Sequence, residues 1–351
     1  MEDSRKIDFV LTWVDGSDGE WLARRRAFEA SERGYSTGDA NANGDCRYRD
    51  NGLLRYCLRA IAKFAPWVNR VFLVTCGQKP AWLDESSPRL RFVRHDEYIP
   101  GEWLPTFHSN TIELNLHRLA GLSERFVLFN DDILLLRPVA PEFFFRGGLP
   151  VLPCDLGIPP WLGASNISRI VLNNSGLVKL ATDVQRQVWR NWRKFFDVRS
   201  LGAVRAAKNL ASIAVNRTMI QGCFGHLAVP HLKSTFGEMW RRFPGALERT
   251  SRSRFRSDDS VNHWLMASWN LVQGRFQPAN EKRMGLHEVV NSASLPGLCD
   301  FVRNAPLAEI CFNDKCEGEE FAHCYAEIAR AAAPPGNVTD RTRRPASATL
   351  P

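Results

Sequence analysis

The 351-residue sequence has no run of about 18 apolar residues, the length a bilayer-spanning helix needs. It also lacks a signal-peptide pattern, because Met1 to Ile7 is short and charged. These absences predict a soluble protein in the cytoplasm. Peripheral attachment to the inner face of a membrane stays open, and sequons such as Asn166-Ile167-Ser168 carry no message there. There is no internal repeat, and no helix-turn-helix, zinc-finger or RRM signature. The basic residues form no single stripe, so no nucleic-acid partner is expected. A zinc spacing is also missing from the nine cysteines, Cys46, Cys57, Cys76, Cys154, Cys223, Cys299, Cys311, Cys316 and Cys324. The sharpest cluster, Cys311, Cys316, His323 and Cys324, fits no zinc pattern and reads as core packing. Cys57 and Cys76, on a helix face and after a strand, suit reduced core thiols.

What is present is enough apolar material for a packed core, 44% hydrophobic and 11% aromatic residues. The length allows one large domain or two moderate ones. The formal net charge of +8 points to anionic partners: nucleotide-sugar phosphates, an acidic polymer or an anionic membrane surface.

Along the chain, Phe9-Val10-Leu11-Thr12-Trp13-Val14 is an apolar, β-branched run that stops at the turn signal Asp15-Gly16-Ser17-Asp18. A charged helix from Glu20 to Arg33 and a Gly/Asn/Asp-rich loop to residue 50 follow. Leu54, Cys57, Leu58 and Ile61 recur at the helical period until Pro66. Val71 to Thr75 and Arg91 to Val93 read as strands. A helix from Ser109 carries Ile112, Leu116 and Leu119 inward, and the strand Phe126 to Phe129 comes next. Strands alternating with helices predict a doubly wound α/β sheet with Asp15, Thr75 and Asn130 on one edge. Residues 148–225 are less regular. Gln185 to Phe196 reads as a helix whose stripe of Val188, Trp189, Trp192 and Phe196 is expected in the core. From about Ala331 the composition predicts a disordered tail.

Asn130-Asp131-Asp132 closes the last strand. Adjacent carboxylates beside a dry core are costly unless bound, and a divalent metal holding phosphate oxygens is one solution. A turn whose Asp side chains accept from backbone N–H groups is the other.

Taken together, these segments resemble the Stealth family of sugar-phosphate transferases. That family includes bacterial capsule and exopolysaccharide phosphotransferases and the animal enzyme that transfers GlcNAc-1-phosphate to lysosomal hydrolases. Four blocks carry the resemblance. The first is Ile7 to Asp18. The second runs from Tyr48-Arg49-Asp50-Asn51-Gly52 through Ile112-Glu113 to Asn130-Asp131-Asp132. The third runs from His226 through Phe243-Pro244 to Phe255-Arg256-Ser257-Asp258-Asp259, and the fourth is Ile310-Cys311-Phe312-Asn313-Asp314. His108, and Leu227 to Val229, depart from the family's usual residues.

The resemblance implies a Rossmann-like, GT-A-type nucleotide-sugar fold with additional helical segments. Residues 1–147 would form the nucleotide-sugar-binding core, 148–330 the rest of the catalytic domain and 331–351 the tail. It also implies transfer of a hexose 1-phosphate from a UDP-sugar to a glycan hydroxyl, releasing UMP, in cell-surface polysaccharide synthesis. The catalytic positions would be Glu113, Asp132, His226 and Arg256. Asp131 and Asp132 would hold Mg²⁺ or Mn²⁺, with Asp259 in the metal shell or orienting Arg256. Asp15, Arg49, Asp50 and Asn130 would contact the nucleotide or hold the loop after the first strand. Each has a blander reading: Arg256 on a solvated face with Arg252 and Arg254, His226 a structural histidine with His231 as rival, Glu113 a helix-surface acid. The choice of base between Glu113 and His226 stays open. So do two other functions, a glycosyltransferase releasing UDP and a non-catalytic carbohydrate-binding protein.

Overall fold

The computed structural model describes residues 6–31, 39, 42–157, 163, 165–215, 220, 226–316 and 318–333. Its centre is a five-stranded sheet built from β1 (Ile7–Thr12), β2 (Val71–Thr75), β3 (Leu90–Arg94), β4 (Arg125–Asn130) and β8 (Val229–Leu232). The order is β3-β2-β1-β4-β8; the first four strands are parallel and β8 runs antiparallel to β4. The near-continuous apolar runs follow from burial on both sides. Ile7, Phe9, Leu11, Val127 and Phe129 face one core, while Val10, Phe72, Val74, Phe126 and Leu128 face the other.

The first core is covered by α2 (Leu54–Phe64), α12 (Leu295–Asn304) and α13 (Gly318–Ala332). The predicted stripe of α2 is the buried one, Leu54, Cys57, Leu58 and Ile61. The second core contains α11 (Trp264–Val272), every residue of which is buried, with α9 (Lys233–Arg242) and α10 (Pro244–Arg252) beside it. The charged helix α1 (Gly19–Ser31) buries Trp21 and Arg25. Three short strands make a second sheet in the order β10 (Gly285–Val290), β11 (Glu309–Asp314), β5 (Ile133–Leu135). A third joins β6 (Phe145–Arg146), β7 (Leu149–Pro153) and β9 (Gln277–Ala279). Asp131 and Asp132 therefore form the crossing between two sheets: Asn130 ends β4, Ile133 begins β5, and Phe312 of β11 donates its N–H to the Asp132 carbonyl at 3.0 Å.

Two expectations change. The helix from Ser109 is only α3 (Ser109–Leu114) and gives way to a 3₁₀ turn over Leu116–Arg118; Leu116 and Leu119 are buried while Ile112 is half-buried. The Asn115 side chain there bonds back to the Thr111 carbonyl at 2.8 Å. The helix expected over Gln185 to Phe196 is two, α5 (Val184–Arg190) and α6 (Trp192–Phe195), broken at Asn191. The break ends the 3.6-residue period, so Val188 and Phe195 are buried and Trp189 and Trp192 stand exposed. With α4 (Asn166–Ala181), α7 (Val198–Leu201) and α8 (Ala203–Ala214) they form a helical block. The expected tail from 331 lies largely outside the described residues, and α13 reaches Ala332. Pro159, Pro160, Cys223 and residues 32–38, 40 and 41 ahead of and within the Gly/Asn/Asp-rich loop also lie outside them.

Candidate active site

The parallel register brings the carboxyl ends of β1, β2 and β4 level, and Thr12 donates its hydroxyl to Asn130 Oδ1 at 3.3 Å. Past β1 the chain turns at Gly16, whose N–H bonds the Tyr48 carbonyl at 2.7 Å. A Cβ there would lie 2.5 Å from that oxygen, so only glycine fits. Asp15 is held by Gln78, whose amide accepts from the Asp15 N–H at 3.0 Å and donates to its carbonyl at 2.7 Å. Trp13 Nε1 donates to Asp50 at 3.2 Å. Trp13, Asp15, Asp50 and Gln78, with Asp18, Lys79 and Trp82, line a polar cleft of about 290 Å³ at the strand ends. This is where an open α/β sheet binds its ligand.

Beside the cleft lies an acidic cluster. Burial, then the neighbouring Asp132 and Asp50, push the Asp131 carboxyl well above its usual range. Asp132 is raised too, chiefly by burial, and its Oδ1 is buried without a hydrogen-bond partner. The turn-cap reading leaves that oxygen unexplained, whereas a cation would satisfy it. The carboxylates do not form a closed cage. Among the described residues, the His/Cys/Asp/Glu trio whose ligand atoms lie within 4.8 Å of one another is Cys316, Glu320 and Cys324. An open acidic site suits a cation that takes its remaining ligands from phosphate oxygens. The Cys57 and Cys311 thiols flank the pair, and burial holds both well above their ordinary pKa, so they are neutral.

The downstream residues converge from the other side. Glu113 on α3 is 6% exposed, and burial raises its carboxyl to about 8, opposed by Arg256. His263 Nε2 lies 3.9 Å from Glu113 Oε2, and its Nδ1 is 2.9 Å from His231 Nε2. If His231 donates in that pair, the proton of His263 sits on Nε2, facing Glu113. Burial holds both imidazoles neutral, His263 at about 3. Arg256 Nη2 donates to Ser109 Oγ at 2.9 Å, and its backbone is clamped to Asn43 by bonds of 3.0 and 3.1 Å. Arg47 lies within electrostatic reach of Arg256 and also of Asp132. It sits on the short 3₁₀ turn Asp45–Arg47, next to Tyr48, whose ring lies under the Arg25 guanidinium at 4.2 Å. Two guanidiniums within electrostatic reach of each other and of an acidic pair suit an anion between them.

His226 has φ 55°, in the left-handed region rare for non-glycine residues. Its ring lies 4.7 Å from that of His287 and 5.5 Å from Trp264. The residue is exposed by surface area, yet the surrounding protein, then the charges of His287, Arg47 and Arg256, lower its pKa. His226 is therefore neutral at pH 7.

Of the residues singled out from sequence, Glu113, His226 and Arg256 thus share one electrostatic neighbourhood, with Arg47 linking them to Asp132. Asp50 stands beside Asp131 as well as lining the cleft. Arg49 is engaged in structure: it pairs with Asp314 at 3.2 Å, donates to the Cys316 carbonyl and covers the Phe321 ring. Asp259 is exposed, accepts from Ser257 Oγ at 2.5 Å and lies 4.0 Å from Arg249; no described contact ties it to Asp131 or Asp132. The rival His231 is fully buried between Phe126 and Phe236 and supports His263. Cys311, Cys316 and Cys324 are buried, while His323 is exposed. Arg47 and His263 went unnoticed in the sequence. Arg47 immediately precedes the Tyr48-Arg49-Asp50 stretch, and His263 stands four residues past Asp259.

The Stealth conserved regions CR1, CR2 and CR3 match residues 5–33, 47–150 and 225–273. The capsular polysaccharide phosphotransferase WcwK of Streptococcus pneumoniae is 37% identical over 320 residues, 90% of this chain and 92% of that one. The receptor polysaccharide phosphotransferase WefC of Streptococcus oralis is 38% identical over 313 residues, covering 88% and 90%. The exopolysaccharide phosphotransferase cps2G of Lactiplantibacillus plantarum is 32% identical over 315 residues, covering 88% and 87%. Among solved structures, the galactosyltransferase LgtC with donor and acceptor sugar analogues overlaps 93% of this chain and 95% of its own at 10% identity, with a TM-score of 0.34. With its conserved regions in order and its relatives matched along nearly their whole length, the chain belongs to the Stealth family and is a phosphotransferase of that type.

Proposed function

We propose that the protein transfers a hexose 1-phosphate from a UDP-sugar to a glycan hydroxyl, forming a phosphodiester and releasing UMP. The observation that carries this is the convergence of buried Glu113 on Arg256, with Arg47 within electrostatic reach of both Arg256 and Asp132 at the crossing between β4 and β5. Phosphoryl transfer asks for positioning, charge neutralisation and a proton acceptor more than for covalent help. The cleft at the ends of β1 and β2 would seat the nucleotide against Asp15, Asp50 and Gln78. Arg256 and Arg47 would hold the sugar phosphate, Arg256 already aimed by Ser109 and Asn43. The acceptor hydroxyl attacks the β-phosphorus; the new O–P bond forms as the bond to the bridging oxygen breaks, and UMP departs with that oxygen. Glu113 takes the hydroxyl proton. A carboxylate with a pKa near 8 is a stronger base than an ordinary glutamate. His226, neutral and exposed over the cluster, would contact the acceptor.

Asp131 and Asp132 would hold Mg²⁺ or Mn²⁺, with Asp50 close by. When bound, the cation supplies charge neutralisation for the pyrophosphate and the leaving UMP. A nucleotide-sugar donor places the reaction in the cytoplasm, in the synthesis of a cell-surface polysaccharide. No helix among the described residues is long and apolar enough to cross a membrane. The metal assignment is tested by calorimetric titration of Mn²⁺ with UDP present. Wild type is expected to bind, and Asp132→Asn and Asp131→Asn to lose at least roughly tenfold in affinity. Unchanged binding in both variants would refute the assignment.

A further inference from the structure

Among the described residues, every large hydrophobic side chain left exposed lies between Leu172 and Val215, in the helical block α4–α8. Leu180 is 85% exposed, Val204 73%, Val215 62%, and Trp189 and Trp192 52% each. On α8 the pattern is the reverse of a solvated helix. Ala206, Asn209 and Ile213 face inward, while Val204, Ala207, Leu210 and Ala211 face out, accompanied there by Lys208. A gathering of exposed apolar groups on this scale marks an interaction surface.

Its charge says what it meets. Residues 166–215 hold nine Lys and Arg against only Asp183 and Asp197, so this one segment carries most of the chain's net charge of +8. Arg205 pairs with Asp155 and Arg169 with Asp258. Lys179, Arg186, Arg190, Arg193, Arg199 and Lys208 have no carboxylate within ion-pair distance among the described residues. Trp189 and Trp192 each precede an exposed arginine, and the Arg193 guanidinium lies 5.5 Å from the Trp192 ring. Aromatic and aliphatic groups interleaved with cations are what a bilayer interface selects. A second copy of the chain is a poor fit, because a two-fold contact would press two strongly basic faces together.

We propose that α4–α8 docks the protein on an anionic lipid surface, the apolar side chains entering the headgroup region and the basic ones pairing with lipid phosphates. The docking face is tied to the active site. Asn173 on α4 donates to the carbonyls of Asp258 and Ser260 at 2.9 Å each, and Asn166 to that of Ser257 at 3.1 Å, so the block grips the loop that carries Arg256.

The test is co-sedimentation of the full chain with vesicles of phosphatidylcholine alone or mixed with phosphatidylglycerol. Wild type is expected to pellet with the mixed vesicles at low salt, to be released at high salt, and to ignore phosphatidylcholine. Arg190→Glu/Arg193→Glu and Trp189→Ser/Trp192→Ser should each lower partitioning by at least roughly tenfold. Their thermal melts and their activity on soluble substrates should stay at the wild-type level, since these side chains are exposed. Absence of wild-type binding to the mixed vesicles at low salt would overturn the proposal whatever the variants do. Binding that the substitutions leave unchanged would also overturn it. So would a dimer that they dissociate in a protein that binds no vesicle, which would make the face a self-interface.

Discussion

Glu113 is a carboxyl kept where ionisation is expensive: 6% exposed, on a short helix, with Arg256 and the neutral His263 the described groups near enough to favour its charge. In the folded chain it keeps its proton up to about pH 8, whereas an unfolded glutamate loses it near 4.5. Between those values the native state holds a proton that the unfolded state releases, so stability falls as pH rises through that window. The cost at neutral pH is on the order of 3 kcal/mol. Glu113→Gln removes the titration. Its thermal melting temperature is expected above that of wild type at pH 8 and close to it at pH 4.5, while turnover falls by roughly 10² to 10⁴. Turnover of wild type should rise with pH toward about 8. A melting difference that does not change with pH would show that Glu113 is an ordinary acid. Glu113 was singled out through its block of sequence. That it lies near His263 and Arg256 was not legible there, because those approaches cross roughly 150 residues of chain and depend on α10 lying against α3.

The elements most legible in the sequence are those whose signal is local. β1, β2 and β4 are runs of apolar residues buried on both faces, and a buried run needs no partner to be recognised. Phe129 is the penultimate residue of β4, two residues before Asp131. It is 1% exposed, and its ring lies 4.8 Å from Phe9 and 6.1 Å from Phe144. Phe129→Ala should cost about 3–5 kcal/mol of unfolding free energy in a denaturant titration. A loss under about 1 kcal/mol would mean that β4 is not the keystone described here. Elements set by tertiary context were harder to read. The block of α5 and α6 looked like one core helix because Val188, Trp189, Trp192 and Phe196 fit a single period. Asn191, with its side-chain amide bonded back to the Gln187 carbonyl at 2.9 Å, divides it and turns the tryptophans outward. The antiparallel β8 and the pairing of β5 with β11 had no local signature either, yet the latter fixes Asp132 through Phe312.

At the scale of the whole molecule, one sheet receives both ends of the chemistry. Its parallel strands deliver the cleft and the paired aspartates, and the segment after β8 returns across the second face with His263 and Arg256. The net charge is not spread over this architecture but gathered on the helical block, opposite in character to the acidic crossing. The most direct measurement of that account is the nucleotide released when the protein is incubated with UDP-hexoses, Mg²⁺ or Mn²⁺ and a glycan primer. UMP appearing in step with a phosphodiester-linked product is the predicted result. UDP as the sole nucleotide product, with the hexose joined through a glycosidic bond and no phosphate, would contradict it.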